Sequence, residues 1–140
     1  MAWWRSDAKR RRVSEVVLDA SAVLALLQDE PGGDRVLESL PGGLICSVNL
    51  SEVVAKLAEL GMPESEIRLA LSLGLEIVPF DEALAFSAGV LRSATRSAGL
   101  SLGDRACLAL ARSRFLPALT TDRAWRDLDV DVDVEVIRPE

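Results

Sequence analysis

Histidine is absent from all 140 residues of this chain. Its absence removes the Ser-His-Asp and Cys-His triads, an imidazole general base and the usual catalytic zinc site. Cysteine is scarce. Cys46 and Cys107 stand far apart among apolar neighbours, which predicts two small core residues and no disulfide framework. No apolar run approaches the roughly 20 residues that span a bilayer. The first residues, Met1-Ala2-Trp3-Trp4-Arg5, lack the apolar stretch of a secretory signal. The expectation is a soluble, cytoplasmic protein. Any catalysis must rest on carboxylates, hydroxyls, arginines and whatever metal carboxylates hold.

What is present fits one globular domain, with 49% of residues hydrophobic and 27% charged. The net charge of −6 is spread unevenly. The first twelve residues hold Arg5, Lys9, Arg10, Arg11 and Arg12 against Asp7 alone, so the rest carries 11 basic and 21 acidic residues. A body this acidic does not bind nucleic acid by bulk charge, although a nuclease whose acids are neutralised by metal stays open. Residues 1–14 have no apolar periodicity and read as a basic extension, either a solvated tail or an arm that touches RNA; residues 15–140 read as the domain.

Strands and helices alternate along that domain. Val16-Val17-Leu18 reads as a short buried strand, and a helix follows to about Gln28. A short helix over 34–40 ends at Pro41-Gly42-Gly43, and Leu44-Ile45-Cys46 makes a second strand. Leu50, Val53, Val54, Leu57 and Leu60 share one helical face that Gly61 closes, and Pro63 opens another helix through Leu73. Residues 75–79 read as a strand, Asp81 caps a long helix to about Ala98, and a helix follows Ser101 to near Arg112. Phe115 to Leu119 reads as a further strand, and Asp129 to Val136 alternates as one with a charged, edge-protecting face. The alternation predicts an α/β fold: a mainly parallel sheet with helices on both faces, hence a three-layer α/β/α sandwich.

Four acids fall at element ends or first turns: Asp19, Glu52, Asp104 and Asp122. The carboxyl ends of parallel strands share one edge, so these side chains can meet there. Each also has a plainer reading. Asp19 can cap the first helix, Asn49 and Glu52 fit a capping box, Asp104 can close a box with Ser101, and Asp122 can cap a turn before Trp125. Four acids at one edge repel one another unless cations fill the cluster. Hard oxygen ligands suit Mg²⁺ or Mn²⁺, and such ions hydrolyse phosphodiesters without a histidine base.

The stretches Val17-Leu18-Asp19-Ala20-Ser21, Ser47-Val48-Asn49-Leu50-Ser51-Glu52-Val53, Ser101-Leu102-Gly103-Asp104-Arg105-Ala106 and Leu119-Thr120-Thr121-Asp122 resemble, in order, those of the PIN-domain ribonucleases. The resemblance is nearest to the VapC-type toxins of bacterial toxin–antitoxin pairs. It implies Asp19, Glu52, Asp104 and Asp122 as metal-binding acids, with Ser21 and Thr120 as polar support. It also implies a homodimer, an RNA substrate, a Mg²⁺ or Mn²⁺ cofactor and a small antitoxin that covers the site. Arg123, Ala124 and Trp125 stand where many members carry another acidic or polar residue, leaving Asp127 as the nearest substitute. A non-catalytic RNA- or protein-binding module of the same fold is the competing expectation.

Overall fold

The computed structural model describes residues 15–138. The basic segment of residues 1–14 lies outside them. Five short strands form one sheet: β1 (Val17–Leu18), β2 (Leu44–Cys46), β3 (Glu76–Val78), β4 (Ala118–Thr120) and β5 (Val134–Val136). They stand in the order β3-β2-β1-β4-β5, and every pairing is parallel. Six helices connect them: α1 (Ala20–Leu27), α2 (Gly33–Ser39), α3 (Ser47–Glu59), α4 (Glu64–Ala70), α5 (Glu82–Thr95) and α6 (Leu102–Arg114). The expected three-layer α/β/α sandwich is the fold observed.

Alternation along the strands separates the layers. Val17, Leu44, Cys46 and Ala118 point into a core built with α5 and α6, where buried Trp125 closes the end. Leu18, Ile45 and Leu119, from the neighbouring positions, point into the opposite core with α1 to α4. Both cysteines are free and buried. Among the described residues, no helix is long and apolar enough to cross a membrane.

The strand order fixes where a ligand can sit. The chain steps outward from β1 to β2 and β3, then crosses to β4 and β5 on the other side. The carboxyl ends of β1 and β4 therefore flank the point where the winding reverses, the usual crevice of an open α/β sheet. Leu18 is in register with Leu119, so Asp19 and Thr120 lie side by side at that edge.

Two stretches differ from the expected strands. Helix α6 runs on to Arg114, and Phe115 ends it in the left-handed conformation (φ 55°), so β4 starts only at Ala118. In the acidic tail, Asp131 is also left-handed (φ 57°) and Val130 turns into the core. Residues 129–133 are therefore a loop, and the strand shrinks to Val134–Val136 at the sheet edge. Its one acid, Glu135, is held by Arg35 of α2 through contacts of 2.7 and 3.1 Å.

Trp125 is fully buried in a 3-10 turn (Arg123–Asp127), and its indole N–H has no partner. Trp125→Ala should lower the unfolding free energy by about 3–5 kcal/mol, read from the urea midpoint. Trp125→Phe, which also removes the orphan donor, should lose distinctly less; equal losses would contradict this packing.

Candidate functional site

Asp19 is the first residue past β1, and its backbone N–H donates to Leu119 O at 3.2 Å across the sheet. Its side chain is almost fully buried, at 4% exposure. One carboxylate oxygen, Oδ1, accepts from Ser21 Oγ at 2.7 Å and from the Ala22 N–H at 2.8 Å. The other, Oδ2, accepts from Thr120 Oγ1 at 2.5 Å. Asp19 is thus the N-cap of α1 and more than a cap, because Thr120 comes from another strand.

The two hydroxyls are themselves fixed. Ser21 Oγ accepts from the Thr121 N–H at 3.0 Å, and Thr120 Oγ1 accepts from the Asp122 N–H at 3.1 Å. Each hydroxyl has one proton and directs it at Asp19. Two lone pairs are used on Oδ1 and one on Oδ2, which leaves Oδ2 one position for a cation or a proton.

Asp104 reaches the same edge from the first turn of α6. It closes a capping box, accepting from the Ser101 N–H at 3.0 Å while its own N–H donates to Ser101 Oγ at 3.1 Å. Glu52 is carried by α3. Helix α3 begins at Ser47, so Asn49 and Glu52 lie inside it and form no capping box. Instead Asn49, 1% exposed, donates from Nδ2 to Gly103 O at 3.0 Å and to Glu52 Oε1 at 3.1 Å. This amide ties α3 to the start of α6. Gly103 completes the join, since a Cβ there would collide with both carboxylate oxygens of Glu52. Neither Asn49 nor Gly103 stands out by residue type. Their role depends on a contact across 54 residues of chain.

The acids share one electrostatic environment. Burial pushes the Asp19 carboxyl up to about 6, and the Asp104 charge adds to that rise, while the bonds from Thr120, Ser21 and Ala22 hold it down. Burial also raises Glu52; the Asp104 charge adds to this and the Asn49 bond opposes it. Cys107 on α6 is fully buried, its thiol pushed up mainly by burial and further by Asp19, Cys46, Asp104 and Glu52.

Asp122 stands apart. Its carboxylate caps the 3-10 turn, accepting from the Ala124 N–H at 2.9 Å, and is linked to Asp19 through its own N–H and Thr120. Asp127 is exposed at the far end of that turn. The structure thus draws Asp19, Glu52 and Asp104 together, with Ser21 and Thr120 on Asp19, and leaves Asp122 adjacent and Asp127 outside. Among the described residues, no three Asp, Glu or Cys side chains close tightly enough around one point to grip an ion as they stand. The donor set still fits a hard divalent cation: all oxygen, mutually repelling, and with a lone pair open on Asp19.

A family model described as the PIN domain matches residues 16–131. This chain belongs to the PIN domain family. No curated protein matches it, but several solved structures do. A toxin–antitoxin complex from Klebsiella pneumoniae has 21% sequence identity and a TM-score of 0.68, the match covering 86% of this chain and 95% of that one. VapBC2 from Rickettsia felis, bound to a fragment of its promoter DNA, has 18% identity and a TM-score of 0.67, covering 86% and 97%. VapBC-5 from Mycobacterium tuberculosis has 28% identity and a TM-score of 0.57, covering 90% and 99%. At these identities, the first two matches speak for the fold.

Burial of Asp19 gives this PIN domain a defined dependence on pH. The carboxyl titrates near 6 when folded, against an ordinary 3.8, so between those values the folded state holds the extra proton. The stability from this group is fully present below pH 3.8 and is lost as pH rises through 6, a loss of about 3 kcal/mol in the metal-free protein. Thr120→Val removes a bond that favours the ionised form, so it should move the Asp19 titration above 6. Carboxyl ¹³C NMR titration of both proteins reads this directly. An Asp19 that titrates near 4 in the wild type would contradict it.

Proposed function

We propose that this PIN domain is a divalent-metal-dependent endoribonuclease, the toxin of a type II toxin–antitoxin pair acting in the cytoplasm. The observation that carries the reading is the placement of three acids near one edge: Asp19 just past β1 and almost fully buried, Asp104 in the first turn of α6, and Glu52 of α3 packed against Gly103 beside it. A fold that holds such a cluster loses stability without a cation and recovers it with one. Asp19, Glu52, Asp104 and Asp122 are the residues proposed to hold Mg²⁺ or Mn²⁺. When bound, the metal supplies an activated water for in-line attack on a phosphodiester and steadies the leaving oxygen.

The chain's own residues prepare the site for this chemistry. Ser21 and Thr120 lock the Asp19 carboxylate in one orientation and leave one Oδ2 lone pair unused. Asn49 holds Glu52, and Gly103 lets the backbone of α6 pass against its carboxylate. Beyond Asp122 a cavity of about 420 Å³ is lined by Ser21, Thr121, Asp122, Arg123 and Arg138. Two arginines beside an acidic edge give a polyanion somewhere to lie, and bridging cations bring its phosphates to the carboxylates.

The toxin assignment draws on the neighbours, whose structures are of toxin–antitoxin systems and are matched over 95% or more of their length. A small antitoxin covering the site is the partner proposed, together with a homodimer. Phe86 and Val90, one turn apart on α5 and 69% and 71% exposed, supply an apolar face for a second copy.

Cleavage of single-stranded or loop RNA should require Mg²⁺ or Mn²⁺ and stop with EDTA. Asp104→Asn should abolish cleavage yet melt at or above the wild-type temperature in EDTA, since it relieves repulsion. A hundredfold excess of Mg²⁺ over its dissociation constant should stabilise the wild type by about 2.7 kcal/mol and the variant by much less. Cleavage that survives chelation overturns the reading. Sedimentation equilibrium at tens of micromolar should give twice the 15.1 kDa chain mass; a single chain mass removes the homodimer.

A further inference from the structure

The edge of the sheet opposite the acids carries a cleft that the proposed chemistry does not use. It has a volume of about 620 Å³ and lies between the end of α6 and the loop before β5. Phe115, Leu116 and Leu128 form its apolar wall, and Asp129, Asp131 and Asp133 rim it, with Arg112 the one cation among its lining residues. Phe115 is 93% exposed and left-handed, at a helix end where glycine or asparagine is the usual residue. An aromatic ring held in water beside three exposed carboxylates is a surface for something both cationic and apolar.

The chain itself contains such a segment, and it enters the fold at this edge. Val17 is in register with Ala118, and Ala118 with Val134, so the residues ahead of all three leave the sheet together. Val17 N–H donates to Pro117 O, and Ala118 N–H to Asp133 O, each at 2.9 Å. Adjacent strands lie about 4.8 Å apart, which puts the start of β5 roughly 10 Å from Val17. Arg10, Arg11 and Arg12 precede Val17 by five to seven residues, a reach of about 17–24 Å when extended. Lys9 and Arg5 follow outward, and Trp3 and Trp4 end the segment.

We propose that the basic segment of residues 3–12 docks in cis onto this cleft, its arginines on Asp129, Asp131 and Asp133 and its tryptophans toward Phe115. Bound there, the segment covers the exposed ring and neutralises the acidic rim. It then lies at the pole of the molecule away from Asp19, so it is not an RNA-binding arm of the nuclease site.

The test uses the full chain at 50 mM NaCl. Trypsin should cut within residues 5–12 about tenfold faster in Asp129→Asn/Asp131→Asn/Asp133→Asn than in the wild type, and 0.5 M NaCl should bring the wild type to the same rate. Asparagine tolerates the left-handed backbone at 131, so the variant retains the loop. If that variant fails to fold, Arg10→Gln/Arg11→Gln/Arg12→Gln decides, because it leaves residues 15–138 untouched. Its amide spectrum should differ from wild type at Leu116 and over 129–133 and coincide at Asn49 and Glu52. Equal tryptic rates, or unchanged amides at 116 and 129–133, overturn the proposal. Protection that grows with protein concentration overturns it in favour of a second copy, and protection that appears only with added RNA overturns it in favour of an RNA arm.

Discussion

A carboxylate buried between two hydroxyls at the end of β1 is the constraint on which the site depends. Asp19 has to be there for α1 to start, since it accepts the Ala22 N–H, and it has to be tied to β4 because Thr120 donates to its other oxygen. Ser21 closes the loop by donating to Asp19 and accepting from the residue after Thr120. Three hydrogen bonds favour the ionised form, yet burial outweighs them and the carboxyl rises to about 6. The polar network therefore orients the acid without fully stabilising its charge. The Asp104 charge adds to the rise at both Asp19 and Glu52 instead of relieving it.

The capping readings and the site readings of these acids do not exclude each other. Asp19, Asp104 and Asp122 all cap helical turns, and the first two also belong to the charged cluster. A carboxylate has about four lone-pair positions, and a cap uses one or two of them. Helix starts also favour negative charge, which offsets part of the repulsion. Placing acids at helix starts is thus a low-cost way of crowding them at one edge of a parallel sheet.

Much of this was legible in the sequence, because strand ends and helix starts carry local signals. Val17-Leu18-Asp19 followed by an apolar helical pattern marks both the strand and its carboxyl end, and Ser101 with Asp104 marks the start of α6. The rest depends on distant contacts. Asn49 looks like a cap residue locally, and only the Gly103 carbonyl, 54 residues on, makes it a clamp inside α3. Phe115 continues an apolar run and so resembles a strand start, but its backbone turns left-handed to end α6. The alternating run from Asp129 has the period of a strand, yet Val130 finds the core and Asp131 breaks the extension. Periodicity reports which residues are apolar and says nothing about where a neighbouring helix will end.

The proposed cation site is Asp19, Glu52 and Asp104 with Asp122 beside them, in preference to the other acids of this chain. Manganese titrated into ¹⁵N-labelled protein tests it most directly, because a paramagnetic ion broadens the amides around it. At substoichiometric Mn²⁺, broadening should come first at Asp19 to Ser21, at Glu52 and at Gly103 to Arg105. Broadening that begins instead at Asp129 to Asp133, or that spreads evenly over the acidic surface, would contradict it.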